Sequence, residues 1–164
     1  MADKTVRLAG LAPVIDQRAR VLILGSFPST ASLAAQQYYA HPQNQFWRIL
    51  GAVIGQPLQA LGYADRIATT QAAGIAIWDV FASCERAGSL DTAIRDAVPN
   101  QLGDLKKSAL ALRRVCFNGR TAARRMHEVE ALGFETVILP STSPAHAGMR
   151  FEEKLARWRQ ALSE

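Results

Sequence analysis

Four short runs of aliphatic residues recur along the chain, and each of them ends in a segment of small and polar residues. The runs cover residues 20–24, 74–80, 115–117 and 136–139. A short, continuous apolar run bounded by glycine, proline or polar residues is typical of a strand that is buried on both faces of a parallel sheet. We therefore predict four such strands.

Longer segments with apolar residues at helical spacing separate these runs. They predict helices over 46–54, 63–73, 101–112, 121–131 and 150–162. The alternation of strands and helices predicts an α/β fold for residues 1–164, as a single domain. We expect a three-layer αβα arrangement with a central four-stranded, mainly parallel sheet.

Two weaker patterns complete this prediction. Ser89 or Asp91 is placed to cap a short helix that contains residues 93–94. Asn100 is placed to cap the helix over 101–112. Leucines give that helix a buried stripe, at Leu102, Leu105, Leu110 and Leu112.

Chemically useful side chains concentrate in the segments that follow the strands. The first segment, 25–47, combines serines and threonine with two tyrosines, a histidine, an asparagine, phenylalanine and tryptophan. The segment after the fourth strand, 140–146, contains serines, threonine, prolines and a histidine. The carboxyl ends of parallel strands meet at one edge of a sheet, where ligands bind. We therefore expect one site at this edge.

Composition and charge narrow the class of protein. Of the 164 residues, 49% are apolar and 20% are charged, as in a globular chain, and the formal net charge is +5. A basic balance favours polyanionic partners, chiefly nucleic acid or an anionic membrane surface. The N-terminal residues lack the apolar core of a signal peptide, and no apolar stretch approaches the length of a bilayer span. We expect a cytoplasmic protein.

Several kinds of site lack their sequence signatures. Cys84 and Cys116 are too few for a cysteine-based metal site and are expected to be packing residues. His41, His127 and His146 do not have the spacing of metal ligands. There is no glycine-rich phosphate loop and no GxSxG motif, so a nucleotide cofactor and a serine hydrolase are not expected. We predict no metal and no cofactor.

Two separated loop motifs carry a resemblance to a known family. GSFPS at 25–29 with HPQNQFW at 41–47, and then LPSTSPAH at 139–146, resemble the motifs of the uracil-DNA glycosylase superfamily and, within it, of the hypoxanthine-DNA glycosylase branch. The segments at 74–91 and 115–122 extend the resemblance over nearly the whole chain. It implies a monomer that acts on DNA and excises a deaminated base, hypoxanthine before uracil, to leave an abasic site. No lysine lies in either motif, so a lyase step is not expected.

The resemblance also implies roles for individual residues. Phe27 stands where mismatch-uracil relatives carry a polar asparagine, so Asn44 is expected to orient the attacking water instead. Tyr39 matches the residue that stacks on the flipped base, although Tyr38 could also supply the stack, and Phe27 is expected to lie against the base. The chemistry of hypoxanthine, with acceptors at O6 and N7 and a donor at N1–H, also suits recognition by the amide of Asn118. The residues expected to contact DNA or sugar are Gly25, Ser26, Pro28, Ser29 and His41 in the first segment, and Ser141, Thr142, Ser143 and His146 in the second. Members of the branch commonly carry asparagine in place of His146.

A structural interpretation stands beside each of these roles. Asn44 is also a suitable cap for the helix that begins near residue 46. Asn118 with Gly119 is also typical of a turn, and the hydroxyls at 141–143 also suit a tight turn of their own. Asp79, at the end of the second strand, is either a buried acid with a raised pKa or a hydrogen-bond partner of the neighbouring loop.

Two other functions stay open at this point. A non-catalytic reader of damaged or single-stranded DNA would use the same pocket, and the apolar Phe27 is the feature that favours it. A small-molecule nucleoside hydrolase is less favoured, because that chemistry usually relies on clustered carboxylates or a metal ion.

Overall fold

The centre of the molecule, a computed structural model that describes residues 6–146 and 148–163, is a four-stranded parallel sheet. Its strands are β2 (Val21–Gly25), β3 (Ile75–Asp79), β6 (Arg114–Asn118) and β7 (Glu135–Leu139), in the order β3-β2-β6-β7. Each strand begins and ends within one residue of its predicted run. The predicted α/β fold with a central four-stranded parallel sheet is confirmed.

Seven α-helices surround the sheet in the described part of the chain. They are α1 (Thr30–Ala35), α2 (Phe46–Ile54), α3 (Tyr63–Ala72), α4 (Leu105–Ser108), α5 (Arg120–Ala123), α6 (Met126–Ala131) and α7 (Phe151–Leu162). The predictions for α2, α3 and α7 are confirmed within one residue at each end. Helix α2 ends at Gly55, whose φ of 71° is left-handed and whose N–H donates to Gly51 O. The single helix predicted over 121–131 is divided into α5 and α6.

Both faces of the parallel sheet are covered by apolar side chains. Along β2, Val21 and Ile23 pack into one core cluster, while Leu22 and Leu24 pack into another. The first cluster includes Phe46 of α2 and Trp158 of α7, and the second includes residues of α4, α5 and α6. Because successive side chains of a strand point to opposite faces, a continuous apolar run fills both cores. Because the strands are buried on both faces, their sequences are continuous apolar runs, and this is why all four could be predicted.

A second sheet was not predicted. It is antiparallel, with β1 (Arg7–Ala9), β4 (Phe81–Glu85) and β5 (Arg95–Pro99) in the order β1-β4-β5. The residues that directly follow the second predicted strand form β4. The short helix expected over 93–94 is a 3₁₀ turn at Asp91–Ala93 that leads into β5. These strands are mostly half-buried or exposed and pair across distant parts of the chain, so no local pattern marks them.

The prediction of one helix over 101–112 is also wrong. A 3₁₀ turn at Leu102–Asp104 is followed by the four residues of α4, and Leu110 is 81% exposed. Asn100 does not cap a helix here, because its Nδ2 donates to the backbone oxygen of Asp79 at 2.7 Å. Gly103 in the first turn lowers the helix propensity of the segment. The other three leucines of the stripe are buried as predicted.

Both cysteines are buried and free, as expected of packing residues. Within residues 6–146 and 148–163, the helices are all too short or too polar to cross a membrane.

Candidate functional site

A cleft of about 1080 Å³ opens at the carboxyl edge of the parallel sheet. The last residues of the four strands line it: Gly25, Asp79, Asn118 and Leu139. Every residue that the sequence predicted for the site also lines it, namely Gly25, Ser26, Phe27, Pro28, Ser29, Tyr39, His41, Asn44, Asn118, Ser141, Thr142, Ser143 and His146. The structure thus brings the predicted residues together, while their roles stay predictions.

The loop after β2 is held in place from the second sheet. Arg86, which follows β4 and is 6% exposed, donates through Nη2 to the backbone oxygen of Pro28. Its guanidinium carbon lies 5.3 Å from the centroid of the Phe27 ring, close enough for a cation–π contact. Phe27 is 7% exposed. The apolar residue at this position is therefore part of a rigid support for the loop and also a wall of the cleft.

Gly25 leaves space for two polar groups at the deepest part of the cleft. A Cβ atom at this position would lie 2.5 Å from Asp79 Oδ1 and 3.0 Å from the hydroxyl oxygen of Tyr39. Any side chain here would therefore displace one or both groups. We call the place where Gly25 faces the carboxyl of Asp79 the open corner.

The serine hydroxyls of the first loop make internal contacts. Ser26 Oγ donates to Asp91 Oδ1 at 2.6 Å. Ser29 Oγ accepts a hydrogen bond from the N–H of Ser32 at 3.1 Å and caps α1. These bonds fix the course of the loop, and the oxygens retain lone pairs for a further donor.

Tyr39 lies against the hydrophobic core on one side. Its ring stacks on Phe46 with 3.8 Å between centroids and 12° between planes. Its hydroxyl accepts a hydrogen bond from Nδ2 of Asn118 at 3.2 Å, and burial raises the pKa of this phenol far above its usual value. Because Phe46 covers one face, only the other face of the ring is available to a planar ligand.

Asn44 lies two residues before α2, and its side chain bonds to the first N–H of that helix. Its Oδ1 accepts a hydrogen bond from the N–H of Phe46 at 2.9 Å, although Gln45, not Asn44, occupies the N-cap position. Its Nδ2 makes no hydrogen bond to another described residue, and the side chain lines the cleft. Gln45 donates its N–H to the backbone oxygen of Thr142 at 3.0 Å. The bond to Phe46 thus orients the side-chain amide of Asn44 at the point where the two loops meet.

Asn118 has little bonding capacity left. Its Nδ2 donates to Tyr39 Oη at 3.2 Å and to Thr142 Oγ1 at 3.0 Å, and its Oδ1 accepts from the N–H of Thr142 at 3.0 Å. An amide has two donor hydrogens and two acceptor lone pairs, so one lone pair is left. We call the three residues that these hydrogen bonds join the bonded corner: Asn118, Thr142 and Tyr39. Asn118 connects the second loop to the tyrosine.

Helix α7 anchors the second loop. Trp158 Nε1 donates to the backbone oxygen of Pro140 at 2.9 Å. Lys154 is 2% exposed, and its Nζ donates to the backbone oxygen of His146 at 2.7 Å and to Gln45 Oε1 at 3.1 Å. Burial lowers the pKa of this ammonium group, which has oxygen partners but no carboxylate among them. Both ends of the loop are therefore fixed from one helix.

Short-range hydrogen bonds shape the middle of the second loop. Ser141 Oγ accepts from the N–H of Ser143 at 3.1 Å, and Ser143 Oγ accepts from the N–H of Ala145 at 3.2 Å. These are the local turns that the hydroxyls suggested. On the opposite side of the cleft, Nδ1 of His41 accepts from the N–H of Gln43 at 3.1 Å, which favours the tautomer with its proton on Nε2.

The sequence interpretation missed several residues that line the cleft. Asp91 reaches it from the connection between β4 and β5, which had been expected to be helical. Arg120 and Arg124 lie on its rim, and Arg157 of α7 lies there too. Their sequence neighbourhood gives no sign of this position, and the fold places them beside the site.

Asp79 is the least satisfied polar residue in the cleft. It is 4% exposed, and its Oδ2 is buried without a hydrogen-bond partner among the described residues. Burial raises the pKa of its carboxyl to about 7; nearby Asp91 adds to the rise, and Arg86 opposes it. Of the two interpretations of Asp79, the structure favours the buried acid, because its side chain makes no hydrogen bond to the neighbouring loop.

Comparison with known proteins agrees with this architecture. The sequence profile of the Uracil DNA glycosylase superfamily matches residues 12–163. A protein named hypoxanthine DNA glycosylase from Methanosarcina barkeri is 40% identical over 153 residues, which is 93% of this chain and 96% of the relative. A protein of the same name from Methanosarcina acetivorans is 42% identical over 137 residues, 84% of this chain and 87% of its own.

A solved structure is also similar. It is a solution NMR structure of a candidate uracil DNA glycosylase from Methanosarcina acetivorans, which superimposes with a TM-score of 0.88 at 37% sequence identity. The match covers 96% of this chain and 97% of the other.

Proposed function

Because the chain belongs to the uracil DNA glycosylase superfamily, we infer that it is a DNA glycosylase that excises hypoxanthine from DNA and leaves an abasic site. The observation that carries this proposal is the convergence of both loop motifs on one cleft at the carboxyl edge of the sheet. The two relatives named hypoxanthine DNA glycosylase support this base as the substrate, and uracil is the alternative.

The damaged base must first leave the helical stack. Flipping a nucleotide costs a few kcal/mol, and stacking in the pocket offsets part of that cost. The free face of Tyr39 is suited to this, because Phe46 supports the ring from behind and Asn118 holds its hydroxyl. Base stacking on an aromatic side chain is worth about 1–3 kcal/mol. Phe27 supplies a second apolar wall.

Asn44 is proposed as the catalytic residue. Its carbonyl oxygen is fixed by the N–H of Phe46, and its second lone pair can accept a hydrogen bond from the attacking water. Its NH₂ group can donate to an oxygen of the base or of a phosphate. In the reaction the C1′–N9 bond breaks and its electron pair leaves with the base. The water oxygen then bonds to C1′, and a proton from the water balances the charge of the departing base.

Among the residues that the structure describes, no lysine lines the cleft and could take part in a covalent step. Lys154 is near the second loop, but it is buried and its ammonium group donates to two protein oxygens. Burial lowers the pKa of this ammonium group, but its two hydrogen bonds hold the nitrogen in the protein and away from the sugar carbon that a covalent step would attack. The proposal is therefore a monofunctional hydrolysis, with the DNA backbone held by the second loop and by Arg120 and Arg124 on the rim. We also propose that the chain acts as a monomeric single domain; the cytoplasmic location stays a prediction.

A substrate panel tests the proposal. Duplex and single-stranded oligonucleotides with one inosine, uracil or xanthine, beside an abasic control, are incubated with the protein and treated with alkali. We expect cleavage at inosine that depends on the protein and on the alkali step. Binding to the modified strands without any cleavage would instead indicate the non-catalytic reader that the apolar Phe27 favours.

A further inference from the structure

The burial of Asp79 is not explained by its contacts with the other described residues. Its carboxyl ends β3 and is 4% exposed. Its backbone is fixed on both sides, since its own oxygen accepts from Nδ2 of Asn100 at 2.7 Å and β3 pairs with β2 at Gly25. The side chain therefore has a fixed position in the open corner. Glycine at position 25 is what leaves room for Oδ1.

One oxygen of the Asp79 carboxyl is buried without a hydrogen bond to a described residue, which lowers the stability of the fold. Oδ2 is buried and has no hydrogen-bond partner among the described residues. A buried polar atom left without a partner costs about 1–3 kcal/mol, and each one in a native protein calls for an explanation. The neighbouring strand end gives the contrast, because Asn118 uses both of its amide hydrogens. A ligand atom in the cleft would give Asp79 the partner that the protein does not.

The surroundings of Asp79 favour its neutral form. Burial and the negative charge of Asp91 raise the pKa of the carboxyl to about 7, while Arg86 opposes the rise. Tyr38 and Tyr39 are the other titratable groups that interact with it, and both have a raised pKa and stay neutral. A protonated carboxyl has one O–H donor and can therefore bond to an acceptor that a carboxylate would repel.

We propose that Asp79 is a further catalytic residue, whose protonated carboxyl donates a hydrogen bond to the departing base. This inference rests on the proposed function. As the C1′–N9 bond breaks, the electron pair that it releases spreads over the purine, which carries acceptors at O6, N3 and N7. A donor aimed at one of these atoms stabilises the growing negative charge. No proton leaves Asp79 in this step, and the ionised carboxylate would oppose it.

The test is the pH dependence of single-turnover excision of hypoxanthine from an inosine-containing duplex. For the wild-type protein we expect a rate that falls above about pH 7, approaching tenfold per pH unit as a single group loses its proton. Asp79→Asn keeps a neutral donor of similar shape, so we expect a rate within about tenfold of the wild-type plateau and no fall over the same range. Asp79→Ala is expected to lose about 100-fold or more at every pH.

Asp91→Asn provides a readout that a structural role of Asp79 would not produce. Removing the negative charge of Asp91 lowers the pKa of Asp79, so the fall in rate should begin at a lower pH. Thermal unfolding and binding to an uncleavable duplex are measured for all variants. An unchanged rate in folded Asp79→Ala, or the same pH dependence in Asp79→Asn as in the wild type, would overturn the role of Asp79 alone. A wild-type protein that excises no base at any pH would overturn the proposed function as well.

Discussion

The bonded corner and the open corner lie side by side in the cleft, yet they treat their polar groups in opposite ways. Asn118 in the bonded corner makes three hydrogen bonds to Tyr39 and Thr142. Asp79 in the open corner has a buried oxygen that makes no hydrogen bond within residues 6–146 and 148–163. A satisfied buried amide holds parts of the protein together, whereas an unsatisfied carboxyl costs stability and needs another reason to be there.

The two corners therefore have different roles: one positions the parts of the site, and the other provides groups for the reaction. The bonded corner fixes the aromatic ring and the second loop, so that a base meets a preformed surface. The open corner and the NH₂ group of Asn44 hold polar atoms that make no hydrogen bond to another described residue. Polar groups without partners lower the stability of the protein and are kept for its activity. We therefore expect variants in the bonded corner to lower mainly the stability, and variants in the open corner to lower mainly the activity.

Filling the open corner should have the largest effect. In Gly25→Ala the new methyl group would lie 2.5 Å from Asp79 Oδ1, so the carboxyl or the loop has to move. We expect excision of hypoxanthine to fall by more than about 100-fold, because a displacement of about 1 Å in a site costs that much. Gly103→Ala is the control, since a Cβ there meets nothing within 4 Å. Equal single-turnover rates for both variants and the wild type would refute the open corner as part of the site.

Two substitutions of Asn44 separate its contribution to the stability of α2 from its contribution to the excision rate. Asn44→Ala removes the acceptor of the first N–H of α2 and also the NH₂ group, so we expect about 1 kcal/mol less stability and an excision rate lower by about 100-fold. Asn44→Asp keeps an oxygen that can accept from this N–H and from the attacking water, but it loses the NH₂ donor. We therefore expect it to recover the unfolding midpoint in urea and not the rate. If the rate recovers together with the stability, the NH₂ group of Asn44 has no part in the reaction.

The bonded corner should respond mainly through stability. Asn118→Ala leaves the N–H of Thr142 and the hydroxyl of Tyr39 without their partner, at a cost of about 1–3 kcal/mol. We expect a lower free energy of unfolding in urea and a rate that falls by roughly tenfold, through the looser ring. A loss of rate near 100-fold at unchanged stability would instead mean that Asn118 contacts the base, as the sequence motif suggested.

The rim should have the smallest effect. Arg124 is exposed and lines the cleft, so Arg124→Ala is expected to weaken duplex binding a few-fold and to reduce the slope of log affinity against log salt by about one. Arg18 pairs with Asp16 and does not line the cleft, so Arg18→Ala is the matched loss of one positive charge. Equal salt slopes for the two variants would remove Arg124 from the DNA path.

The elements that could be predicted are those whose signal is local. Strands β2, β3, β6 and β7 are buried on both faces and read as continuous apolar runs. Helix α2 carries its own stop at Gly55. Strands β4 and β5 lack such a pattern, because they are mostly half-buried or exposed, and β4 pairs with β1 far away along the chain at Arg7 and Glu85. The segment after Asn100 was misread since leucines at helical spacing also suit a compact loop.

The features of the site also fall into those that the sequence indicated and those that only the fold reveals. The loop motifs identified Tyr39 and Asn44 and the serines of both loops, because composition concentrates there. Nothing in the sequence indicates that Asn118 is occupied by hydrogen bonds, or that Arg86 supports Phe27 from the second sheet. The state of Asp79 is also beyond the sequence, since it depends on what the folded chain fails to bring near its Oδ2.

The central claim is that this cleft breaks an N-glycosidic bond to hypoxanthine. The most direct measurement is the release of the free base from a duplex with one inosine, separated by chromatography and quantified over a single turnover. We predict one equivalent of free hypoxanthine for each abasic site, with the DNA backbone intact until alkali is added. Binding of the duplex without any free base, or a strand break with the base still attached to its sugar, would contradict the account.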